Sequence, residues 1–229
     1  NQADVAVGDT TIAVDDADAS GYAFNIGDLI SFYSDTANTV SVDDFNEYQV
    51  TAINTSTNAL TVRLKDDPSG AGLQTAIPND SKIKRRWKYA DQFSGAPGTS
   101  DYNTNNGKGS GDELHVIVAD GTGNITGYDT DTAGNRAKGV IEAFGNMSKN
   151  SSAKGPQGDS IYYADVIRAK SNFIYWTDHI SAGSNWGTDT TTTYTSVVPI
   201  TIDTLTGGTD DYSTTAGEIE LAYDKFKDT

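Results

Sequence analysis

The side chains best suited to chemistry are few and scattered. His115 and His179 are the only histidines, and His115 sits inside an apolar run, where a hydrogen-bonded structural role is expected. Triad partners need not be neighbours in sequence, yet no serine lies in a G-x-S-x-G elbow. Asp120-Gly-Thr-Gly-Asn-Ile-Thr-Gly127 has the spacing G-x-G-x-x-x-G. That is one residue too long for a dinucleotide loop, and β-branched Ile125 stands where the helix would open, so a β-hairpin turn is expected. Asp16-Ala-Asp-Ala-Ser-Gly21 imitates the first half of a calcium loop, but its twelfth position is Gly27 rather than a bidentate Glu. Asp129 and Asp131 form another acidic pair without a helper. The chain has no cysteine, which removes disulfides, thiolate nucleophiles and Cys-type zinc sites. We expect no catalytic group, no cofactor and no metal.

The distinctive charged feature is basic. Lys82, Lys84, Arg85, Arg86 and Lys88 lie within seven positions of a chain with 16 Lys+Arg, 32 Asp+Glu and a net charge of -16. An edge strand fits, with Ile83 and Trp87 on one side and charges guarding the edge. In so acidic a chain these cations will pair with acids, within the fold or on a neighbouring copy. Asp43-Asp44 and Asp210-Asp211 read as solvated loops. The overall charge disfavours phosphate-held partners and anionic membrane, so neither nucleic acid nor membrane is expected. No apolar run approaches the roughly 20 residues that span a bilayer. The chain starts at Asn1 with Met147 its only methionine, and a processed or truncated product is expected.

These residues need elements to hold them. Short apolar segments at 5–7, 11–14, 29–33, 47–53 and 59–64 predict strands. Tyr48, Val50 and Ala52 alternate with polar neighbours, and a tip rich in Asn and Thr joins them to Leu60 and Val62 as a hairpin. Residues 101–112 read as an exposed or mobile loop. Leu114–Ala119 predicts a strand. Val140, Phe144 and Met147 at i, i+4 and i+7 predict an amphipathic helix over 136–147. A second helix is expected at 160–170 with Ser160 as N-cap, strands at 173–176 and 197–202, and a last helix at 218–227. The fold class is therefore α+β: a small all-β barrel or sandwich at 1–84, then an α+β domain at 85–229.

Several segments, taken in order, resemble one family. Trp87-Lys-Tyr-Ala-Asp-Gln-Phe-Ser-Gly-Ala-Pro-Gly-Thr-Ser100, Asp112-Glu-Leu-His-Val-Ile-Val-Ala-Asp120, Gly-Asn-Ile-Thr-Gly127 and Lys138-Gly-Val-Ile-Glu-Ala-Phe144 come first. Ser148, Ala153-Lys154, Gly158-Asp-Ser-Ile-Tyr-Tyr163, Asp165-Val-Ile167, Lys170-Ser171, Ile174-Tyr-Trp176 and Leu205-Thr-Gly-Gly208 with Asp210 follow. The series is similar to the tail sheath proteins of contractile-tailed bacteriophages of the T-even type. It covers roughly 85–229, leaving the first 84 residues in the place of that family's variable outer β-barrel protrusion.

The resemblance implies a virion structural protein, not an enzyme. Its partners would be other sheath subunits, the tail tube and the baseplate, and it would act by rigid-body contraction. It also implies that this chain lacks the family's larger C-terminal polymerising domain and is monomeric alone. Lys84, Arg85, Arg86 and Lys88 are then candidates for contacts between subunits. A glycan- or host-binding module is the alternative, with Tyr22, Phe24, Tyr33 or Tyr48 stacking on sugar.

Overall fold

The computed structural model describes residues 2–17, 24–130, 132–178, 185–196, 215–217 and 219. Among them the regular structure is mostly small antiparallel sheet with few helices. The first sheet holds β1 (Thr11–Ala13), β2 (Leu29–Tyr33), β3 (Tyr48–Asn54), β4 (Ala59–Leu64) and β5 (Lys82–Arg86), in the order β1-β4-β3-β2-β5. The expected hairpin is β3–β4. Its tip is organised by Asn54, whose side chain accepts from the amides of Ser56 and Thr57, and by left-handed Asn58 at φ 49°. Ile12, Ile30, Phe32, Tyr48, Val50, Leu60 and Val62 meet in one core with Val5, Leu73 and Ile77. β2 is buried along its whole length, and its outward Tyr33 is covered by Lys84 of β5 and by Phe45 of the turn before β3. β5 ends at Arg86.

The second sheet pairs β6 (Glu113–Ala119) with β7 (Val140–Ser148). Here the helix expected over 136–147 is wrong. Leu114 faces Met147 and Val116 faces Phe144, so three residues of β7 oppose two of β6. This bulge, with Asn146 left-handed at φ 50°, turns Phe144 and Met147 to the same side, where both are buried. A bulged strand thus reproduces the three-residue spacing of a helix face.

Other expectations need correction. The supposed loop at 101–112 contains α1 (Asp101–Asn105), capped by Ser100, whose hydroxyl accepts from the amide of Asn103. The hairpin expected at 120–127 is the start of a long connection between β6 and β7. There the Asp120 carboxylate accepts from the amides of Gly123, Ile125 and Thr126. The helix near 160–170 is α2 (Tyr163–Lys170), with Tyr162 rather than Ser160 at its N-cap. Residues 173–176 form no strand: Ile174 and Trp176 pack on the second core, while Phe173 and Tyr175 are exposed. The segments at 197–202, 205–208 and 210–211, with His179 and Tyr22, lie outside the described residues, as does most of 218–227.

Candidate functional site

β5 and the turn after it carry the basic run. Antiparallel pairing sets Ser31 opposite Lys84, Ile30 opposite Arg85 and Leu29 opposite Arg86. Alternation along the strand then sends Ile83 toward the first core and Lys84 to the outer face, with its ammonium 5.9 Å from the centre of the Tyr33 ring. No ion pair joins Lys84 among the described residues.

Arg85, Arg86 and Lys88 engage their own chain. Arg86 grips Glu47 with two parallel bonds, Nε to Oε1 at 2.6 Å and Nη2 to Oε2 at 2.7 Å, and donates to Asp91 at 2.9 Å. Lys65 adds bonds of 3.0 Å to Glu47 and 2.7 Å to Asp91. Arg136, almost wholly buried, donates to the Lys88 carbonyl at 2.6 Å, to Asp66 at 3.0 Å and to Asp91 at 3.3 Å. Arg85 lies 3.8 Å from buried Asp28. Lys88 is buried and donates to Thr130 Oγ1 at 3.3 Å. Its stem lies on Gly27, where an added Cβ would fall 2.6 Å from Lys88 Cδ. Ring stacking continues the connection: Trp87 on Phe93 with centres 6.0 Å apart, and Phe93 on His115 at 4.0 Å.

Electrostatics follow the geometry. Partial burial works to raise the Asp91 carboxyl, but hydrogen bonds from Lys65 and Arg86 outweigh it and hold the group at about 2. Burial likewise acts against ionised Glu47, and Arg86 with Lys65 leaves it below its ordinary value. Asp28 goes the other way, raised by burial that the Asn25 amide and Arg85 only partly offset.

Residues of catalytic type have structural partners. The Asn146 amide donates to His115 Nδ1 at 3.0 Å, which leaves Nε2 to donate to the Gly95 carbonyl at 3.0 Å. Fully buried Asp112 accepts from the Ser100 amide at 2.9 Å, from Ser100 Oγ at 2.8 Å and from the Ser148 hydroxyl. Asn150 extends this network to Asn103 at 2.8 Å. Lys149 donates to the Gly111 carbonyl at 2.8 Å and lies 5.1 Å from the Trp186 ring centre; burial lowers its pKa.

Asp43, expected to be solvated, is buried and accepts from the Tyr48 hydroxyl. Tyr48 and Tyr33 are buried and Phe24 packs against the core, so these three do not form an exposed sugar platform. Among the described residues no group of three or more His, Cys, Asp or Glu could hold a metal ion, and no helix is long and apolar enough to cross a membrane. Neither Asp112 nor Asp91 stood out in the sequence. The only signal was Ser100 at the head of a polar stretch, an N-cap pattern. Comparison with known protein families, with curated proteins and with solved structures finds no match to this chain.

Proposed function

We propose that the chain is the outer part of a contractile tail sheath subunit: a virion structural module, not an enzyme, whose partners are other sheath subunits, the tail tube and the baseplate. In this reading residues 1–84 are a small barrel-like protrusion, and 85–229 belong to the α+β body. The observation that carries it is the ordered series of family-like segments from Trp87 to Trp176. Support comes from the work their side chains do: Ser100, Asp112, His115 and Ser148 brace the second sheet and its loops.

The mechanism is mechanical. Subunits in an extended, metastable helix rearrange as nearly rigid bodies into a shorter, more stable one, and small differences in contact free energy add over many copies. A module of this kind must not deform internally, and the Arg136 and Asp91 contacts suit that demand.

Electron microscopy with Fab fragments raised against this chain is the test, applied to particles from the source of the sequence. Regular decoration along contractile tails is expected, with the isolated chain sedimenting as a monomer near 24.3 kDa at micromolar concentration. Decoration confined to fibres or cell surface, with tails bare, would reject the sheath reading.

A further inference from the structure

The turn before β3 is strained and carries an exposed ring. Asp44 and Phe45 are consecutive non-glycine residues in the left-handed region, at φ 46° and 61°. That conformation is costly for a bulky side chain and persists only where the surroundings impose it. Ser41 Oγ does so, accepting from the amides of Asp43 and Phe45 at 3.2 and 2.8 Å. The result is a Phe side chain 66% exposed. Its ring meets Tyr33 edge-on at 6.4 Å, and Lys84 lies over the same tyrosine. An aromatic knob beside the Lys84 ammonium thus stands on the outer face of β2 and β5.

The start of β5 offers a receptacle. Between the end of β1 and the start of β5 lies a cleft of about 190 Å³, walled by Val14, Phe24 and Ile83 and rimmed by Asp15, Asp16 and Asp80. Among the described residues, Lys82 is the only cation that lines it. A cavity of about 150 Å³ accommodates benzene, so this cleft is the size of one aromatic ring. Its acidic rim suits a ring that arrives with a cation.

We propose that the cleft receives Phe45 of a second copy of this chain, with Lys84 of that copy against the Asp rim. Knob and cleft are different patches of the surface, so a contact between one copy's knob and the next copy's cleft is heterologous and propagates from copy to copy. One aromatic anchor buries only about 150–250 Å², far less than the roughly 1,200 Å² of a stable interface. The contact is therefore weak between free chains and gains strength when many copies are arrayed. Only that gain rests on the sheath reading; the contact itself belongs to the isolated chain.

NMR of the isotope-labelled chain, diluted from millimolar to micromolar at low salt, tests it. Amides near Phe45 and near Val14 and Ile83 should shift together with concentration. Phe45→Asn suits the left-handed turn and should weaken self-association about tenfold or more, as should Asp80→Lys. Each variant keeps the half that the other has lost, so mixing them should restore the shifts, with Phe45→Asn responding at the cleft and Asp80→Lys at the knob. Concentration-independent spectra, or no recovery on mixing two folded variants, would overturn the contact. Fab decoration of tails would still decide the sheath reading independently.

Discussion

Asp112 shows how one buried carboxylate can hold a whole segment. It has no solvent exposure and accepts from the Ser100 amide and from two hydroxyls, tying the cap of α1 to the last residue of β7. Removing it strands several donors in a dry interior, where each unsatisfied group is expensive. Asp112→Ala should therefore destabilise the chain by about 3 kcal/mol or more in denaturant titration. Asp112→Asn should cost less, because the Ser100 and Ser148 hydroxyls can turn to accept from the new amide. Equal losses for the two variants would mean that side-chain volume, not hydrogen bonding, sets the cost. Nothing in the local sequence distinguishes Asp112 from exposed aspartates such as Asp15 or Asp44; its partners come from up to 36 residues away.

At the scale of elements, legibility depended on whether the pattern was local. The β3–β4 hairpin was readable because alternation and a turn-rich tip lie within one short stretch. α2 was readable because its apolar residues repeat on one face. β7 was not, because its bulge is defined by pairing with β6 rather than by its own residues. Asn146 is the element's hinge, left-handed and bonded through its amide to His115. Asn146→Val should cost about 1–3 kcal/mol, since a β-branched residue is strained there, while Asn146→Gly should stay within about 1 kcal/mol of the parent. Urea midpoints of the two variants check the order.

Across the whole molecule, the Lys65, Arg86 and Arg136 cations with Glu47, Asp66 and Asp91 join the first sheet to the chain beyond it. Glu47 and Asp91 are depressed in the folded state, so the unfolded chain binds protons first as pH falls. Their contribution is complete above the ordinary values of 4.5 and 3.8 and is lost as pH drops toward about 2. Asp28, being raised, titrates in the opposite sense: the folded chain takes up its proton first and gains stability as pH falls. Unfolding free energy measured between pH 6 and about 2 should therefore fall through that window. The fall should be shallower in Arg86→Met, which relieves the depressed acids, and steeper in Asp28→Asn. An unchanged slope in Arg86→Met would show that other carboxylates dominate acid unfolding.

The sequence by itself determined the acidic balance, the strands of the first sheet and the edge position of the basic run, because strand alternation and turn chemistry are properties of neighbouring residues. Only the tertiary structure decided which cations turn inward, that Asp43 and Asp112 are buried, and that 140–148 is a bulged strand. Each of those outcomes depends on a partner remote in the chain, and both desolvation and strand register exist only once that partner is in place.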